Sequence, residues 1–174
     1  NYDMTPLLIA VSRNAEGIVN CLLKLDTVDV NLAIPKIEKT PLYLACENSS
    51  TRMAELLISD ERTDPNIPIA SNGNTPLHAA CENRNERIVT LLLNDERINP
   101  NAQNTKTLKT PLIYSAETNK EGIVSIILTN EKTDINIVDK YSNTALHYAC
   151  INNNKKIVDL LINFSPELID PNVY

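Results

Sequence analysis

The stretch Gly73–Asn94, GNTPLHAACENRNERIVTLLLN, sets a Thr-Pro-Leu-His just ahead of an Ala-Ala-Cys. Read alone, a histidine three residues before a cysteine invites catalysis or metal binding. Its surroundings say otherwise, because the phrase returns as TPLLIAV at Thr5, TPLYLAC at Thr40, TPLIYSA at Thr110 and TALHYAC at Thr144. Successive threonines are separated by 35, 35, 35 and 34 residues. A fixed period in this range marks a chain of stacked supersecondary units, each supported by its neighbours, rather than a globule around one deep cleft.

Each unit opens as a helix should. The Thr hydroxyl can cap free N–H groups, and Pro at the first helical position gives up an N–H that had no partner. Leu7, Leu42, Leu77, Leu112 and Leu146 follow, then the small residues Ala10, Ala45, Ala80, Ser115 and Ala149, which permit close approach of a second helix. Nine residues after each Thr stand Asn14, Ser49, Arg84, Asn119 and Asn153, where a tight helix–helix turn often demands a left-handed residue. The second helix is predicted from pairs such as Ile88-Val89 and triplets such as Leu91-Leu92-Leu93, repeated in every unit at spacings that build one apolar face. The segments after it, DERTDPN and DERINPN among them, suit extended turns.

Composition narrows the function. With no Trp and one Phe in 174 residues, the core must be aliphatic, and a net charge of -6 argues against a duplex nucleic-acid binder. No apolar run is long enough to span a membrane. The chain starts NYDMTPL, without a Met, and stops at DPNVY where the next connecting loop should begin. It is therefore expected to be one repeat array, residues 1–174, cut from a longer protein.

The sequence resembles the ankyrin repeat family. The resemblance rests on Thr-Pro-Leu-His-x-Ala at Thr75 and its four relatives, on Ile-Val-x-x-Leu-Leu-Leu at Ile88, and on the closing Asn101. It covers nearly the whole chain. It implies an all-α solenoid of about five stacked helix-turn-helix units joined by hairpin-like loops. Most repeats are two residues longer than the family's usual 33, and the hairpin Gly survives only as Gly73, replaced elsewhere by Glu38, Leu108 and Ser142. Differently shaped fingertips are expected.

His78 and His147 share a slot that holds Leu8, Tyr43 and Ile113 in the other repeats, so the slot does not require acid–base chemistry. In the family that His resembles a structural hydrogen-bonding bridge. Cys46, Cys81 and Cys150 likewise share a position with Val11 and Ala116 and read as small hydrophobes. Four free thiols are expected, which suits a reducing, cytoplasmic location. No catalytic residue, metal site or cofactor is expected, and no small-molecule substrate, because no convergent polar cluster recurs.

Function must then be argued from the surface. In the ankyrin family, ligands usually lie across the hairpin tips and the exposed side of the first helices, on the concave face. Carried over by position, this selects Lys36, Ile37, Lys39, Asn72, Asn74, Lys106, Lys109, Lys140, Tyr141 and Asn143 on the tips. On the helix side it selects Glu47, Glu82, Asn83, Glu117 and Ile151. Lysines on the tips facing a row of glutamates read either as plain solubility or as a bipolar groove that governs partner choice, with Tyr141, Ile37 and Ile151 as candidate apolar anchors. The reading is a non-enzymatic scaffold binding a partner protein or peptide. The alternative is the substrate-recruiting arm of a larger enzyme, such as a kinase or ubiquitin ligase, whose catalytic domain lies elsewhere.

Overall fold

The structure is a computed structural model that describes residues 4–33 and 38–164. Within them, ten helices run in five pairs: α1 (Pro6–Ser12) and α2 (Glu16–Leu23), α3 (Pro41–Glu47) and α4 (Thr51–Ile58), α5 (Pro76–Glu82) and α6 (Glu86–Leu93), α7 (Pro111–Glu117) and α8 (Glu121–Ile127), and α9 (Ala145–Ile151) and α10 (Lys155–Phe164). The odd-numbered helices pack on one another to form one layer, and the even-numbered helices form the second.

Local chemistry explains the shortness of the first helices. Thr5, Thr40 and Thr110 cap them by accepting from the N–H groups of Leu8, Tyr43 and Ile113 at 3.1–3.2 Å. Each ends in the same way: Asn14, Ser49, Arg84, Asn119 and Asn153 sit at φ between 52° and 56°. The next N–H then reaches back to the small residue of the helix, as Ala15 does to Ala10 at 2.9 Å and Asn85 to Ala80 at 3.1 Å. This is the Schellman arrangement, and it turns the chain directly into the second helix.

Burial follows the predicted positions with instructive exceptions. Leu7, Leu42, Leu77 and Leu112 are at most 2% exposed, and Met53, Ile88, Ile123 and Ile157 likewise. Each such side chain contributes roughly 1.5–3 kcal/mol. Leu146 is only partly buried, and Ile18, the counterpart of Met53 and Ile88, is 57% exposed. The difference is one of stacking. The helix that carries Ile88 packs on α4 of the pair before it, whereas among the described residues nothing precedes the pair that carries Ile18.

The repeats are also sewn together by polar side chains that bond backbone across the junctions. Asn31 donates to the Arg62 carbonyl at 2.7 Å and accepts from the Asp64 N–H at 2.9 Å. Asn66 and Asn101 do the same one repeat further on each time. Arg97 is anchored by Asp95 at 2.5 Å and donates to the carbonyls of Ile58, Glu61 and Thr63 in the preceding repeat. That hydrogen bond from Arg97 holds the Asp95 carboxyl below the usual carboxylate range. Arg62 repeats the device against Leu23, Leu25 and Val28, whereas Lys132 makes a single bond to the Glu96 carbonyl at 2.7 Å.

Replacing Arg97 by Ala should therefore cost about 2–3 kcal/mol in urea unfolding, because several charge-assisted bonds are lost together. Arg97→Lys should recover less than half of that, since a lysine lacks the planar fork that serves separate carbonyls. Equal stability of the Lys variant and the parent would show that charge alone, without the fork, holds the junction.

Candidate functional site

Among the described residues, three fingers between the helix pairs are each closed by their own backbone. Ile69 donates to Asn74 and Gly73 to Ile69; Asn104 donates to Lys109 and Leu108 to Asn104; Asp139 donates to Asn143 and Ser142 to Asp139. The third loop is one residue shorter, which accounts for the 34-residue spacing before Thr144. The residues that replace the hairpin Gly keep its conformation: Glu38, Leu108 and Ser142 have φ of 51°, 54° and 62°, beside 76° for Gly73. Neighbouring fingers are joined by Thr105 N–H to Asn72 C=O at 2.8 Å and Lys140 N–H to Thr107 C=O at 3.0 Å.

His78 belongs to this framework. Its Nε2 lies 3.0 Å from the Lys109 carbonyl, which can only accept, so Nε2 carries the proton and Nδ1 accepts from the Thr75 N–H at 3.2 Å. The Thr75 hydroxyl is 2.9 Å from the same Nδ1. The ring thus ties the start of α5 to the next finger. Burial pushes its pKa down to about 4, partly opposed by the Lys109 carbonyl. At neutral pH it is an uncharged strut. Cys46 and Cys81 are fully buried, and burial raises both thiols, Cys81 to about 12. Cys21 and Cys150 are exposed, and none of the four cysteines is bridged.

A second knot binds repeats four and five. Lys109 is 9% exposed, pairs with Glu117 at 2.5 Å and lies 4.9 Å from the centre of the Tyr148 ring. The Tyr148 hydroxyl donates to Asp139 at 2.6 Å, and the other Asp139 oxygen accepts from the N–H groups of Tyr141 and Asn143. Burial works to raise the Asp139 carboxyl, but these donors and nearby Lys109 outweigh it and hold it below the usual range.

These contacts sort the expected surface residues. Lys39 pairs with Glu47 at 2.7 Å as Lys109 does with Glu117, so in two repeats the tip lysine and the helix glutamate neutralise each other. Asn74 stands where those lysines stand, which leaves Glu82, exposed, without a lysine at that position. Asn72 accepts from the Asn74 N–H, Asn74 accepts from the Asn104 side chain, and Asn83 donates to the Glu47 and Ala79 carbonyls. Asn143 shapes its own finger through Asp139. Lys106 and Lys140 are exposed, and Tyr141 and Ile151 are 64% and 68% exposed. Lys36 and Ile37 lie outside the described residues. Leu108, exposed on its fingertip, escaped the positional reading; the signal available was an apolar residue in a glycine's place.

Among the described residues, no group of three His, Cys, Asp or Glu could hold a metal ion, and no helix is long and apolar enough to cross a membrane.

Comparison with known proteins agrees with this geometry. None of the curated proteins searched matches the chain. The crystal structure of the ankyrin repeat domain of Bcl-3, described as a unique member of the IkappaB protein family, superposes with a TM-score of 0.86. It shares 25% sequence identity over 99% of this chain and 75% of that one. A model of ankyrin repeats in three copies matches residues 7–104 and 96–173. On these matches, and on five capped helix pairs with hydrogen-bonded fingers between them, the chain belongs to the ankyrin repeat family.

Proposed function

We propose that this chain is a non-enzymatic scaffold that holds a partner protein or peptide against its fingers and the exposed side of its first helices, the concave face of the family. Ankyrin repeats are typically protein–protein interaction modules, and the neighbouring IkappaB-family domain accords with that role. The observation that carries the placement is the exposure of Tyr141 and Ile151. They are the two most exposed large hydrophobic residues described, and both stand at positions that the family's binding pattern assigns to this side, in the last repeat. Large apolar side chains left in water beside exposed polar groups are what an interface uses as anchors.

The charge pattern supports a narrower groove than the sequence suggested. With Lys39 and Lys109 already paired to Glu47 and Glu117, the exposed charges among the described candidate residues are Lys106 and Lys140 on the tips and Glu82 on the helix side. Affinity capture from a native extract tests the placement. A Tyr141→Asp/Ile151→Asp variant should lose partners that a variant on the exposed side of the second helices, Arg87→Glu/Ser125→Glu, retains, with melting temperatures of both within a few degrees of the parent. Loss by the second variant alone would move recognition to the opposite layer.

A further inference from the structure

Two local rules are broken together at Leu108. It is a non-glycine residue in the left-handed region, at φ 54°, and it is an aliphatic side chain 43% exposed on a fingertip. Of the four residues in equivalent turns, Gly73, Glu38, Leu108 and Ser142, it alone is apolar. Glycine would relieve the backbone, and any polar residue would suit the water. Strain kept at an exposed apolar position points to use by a ligand.

The next finger supplies a companion. Tyr141 is 64% exposed, and the Lys140 ammonium lies 4.9 Å from the centre of its ring. The two fingers are locked to each other. Lys140 N–H donates to Thr107 C=O beside Leu108 at 3.0 Å, and the Gln103 amide donates to both the Leu108 carbonyl at 2.7 Å and the Val138 carbonyl at 2.9 Å. The apolar pair is therefore presented on a preformed support, which lowers the ordering cost of binding.

Charge around the pair is one-sided. Lys106 and Lys140 are exposed, while Asp139, the carboxylate of the same finger as Lys140, is buried and taken up by Tyr148 and two backbone N–H groups. This is a cationic patch on a chain whose net charge is -6. We propose that the paired tips of the 104–109 and 139–143 fingers form a docking point for an extended acidic peptide segment, with an aliphatic or aromatic side chain seated on Leu108 and Tyr141 and flanking carboxylates met by Lys106 and Lys140. The proposal rests on the finger-side reading above and names the partner chemistry for it. Opposite charge on the two sides would set specificity and association rate, and the apolar contact would set residence time.

The test is selection of a random peptide display library on the whole 174-residue chain, followed by measurement of the recovered peptides by fluorescence anisotropy. Recovered sequences should carry Asp or Glu on both sides of an aliphatic or aromatic residue. Leu108→Gly should weaken them at least tenfold while the melting temperature stays the same or rises, so that loss of binding cannot be loss of fold. Lys106→Glu/Lys140→Glu should weaken them further in low salt than in high.

Peptides without acidic enrichment, or peptides held equally by Leu108→Gly and Tyr141→Ala, would overturn the proposal, as would a library that yields no binder. If binding falls with Glu82→Arg or Ile151→Asp but not with Leu108→Gly, the finger-side reading stands and this docking point does not. Loss only with Arg87→Glu/Ser125→Glu removes both.

Discussion

Between pH 6.5 and pH 4 the fold is expected to lose about 3 kcal/mol of stability through His78 alone. Well above pH 6.5 the imidazole is uncharged in both the folded and the unfolded chain and contributes nothing to the pH slope. As the pH falls through 6.5 the unfolded chain takes up a proton, but the folded one does not until about 4, because burial disfavours the cation. The unfolded state is thus favoured progressively across that window. Protonation would also place an N–H on Nδ1 against the Thr75 N–H, two donors facing each other.

A His78→Leu variant isolates the effect, since Leu8 fills the same slot in the first repeat. At pH 7 it should be less stable than the parent by about 1 kcal/mol for the bonds it removes. Its urea midpoint should then stay nearly flat down to pH 4, and parallel curves for the two proteins would rule out His78 as the source. Below pH 4 both should fall again. Asp60, Asp95 and Asp139 have carboxyls held below the usual range, so the stability they supply is present above that range and is lost as the pH drops through their lowered values.

Gly73→Ala is expected to cost about 2–3 kcal/mol, although it adds only one methyl group, because residue 73 is buried in its finger. At φ 76° a Cβ on residue 73 would stand 2.5 Å from the Thr105 backbone nitrogen and 2.7 Å from its methyl carbon. Relaxing the turn toward the φ of 51–62° that Glu38, Leu108 and Ser142 adopt would move the finger and break the Thr105 N–H bond to Asn72. The signature is local as well as global: the Thr105 amide should lose its hydrogen-exchange protection in the variant. Gly17→Ala is the control. Gly17 lies in α2 with nothing within 4 Å of an added Cβ, so the same substitution there should raise stability by up to about 1 kcal/mol through helix propensity. Two glycines with opposite responses would locate the constraint in the junction between fingers.

The fold was readable because its determinants are local and repeated. Thr and Pro at a helix start, a small residue one turn on and a left-handed residue at the end act within a dozen residues, and five copies in register corroborate one another. Even Arg84, a residue with no taste for the left-handed region, adopts φ 56° because the Schellman turn around it demands that conformation. The structural role of His78 was legible for the same reason, since Leu8, Tyr43 and Ile113 occupy its slot.

The surface was less legible, because it depends on where side chains end rather than where they start. Lys39 and Lys109 sit on the tips in sequence, yet their ammonium groups lie within 2.7 Å of glutamates eight residues on. A long flexible stem lets a lysine choose its partner, and only the folded geometry shows which carboxylate is in reach. Tyr148 and Asp139, nine residues apart, meet only because the last finger folds back onto its own helix. The exposure of Leu108 arises in the same way. Its neighbours in the sequence are a turn's, but its freedom from the core and its place on the finger next to that of Tyr141 come from the register between two fingers, set by one backbone bond and the Gln103 amide. By itself, then, the sequence determined the repeat, its caps and its aliphatic core, through interactions confined to one unit. The tertiary structure alone decided which charges are spent within the molecule and which apolar residues stay in water, because those outcomes depend on distances between units that stacking creates.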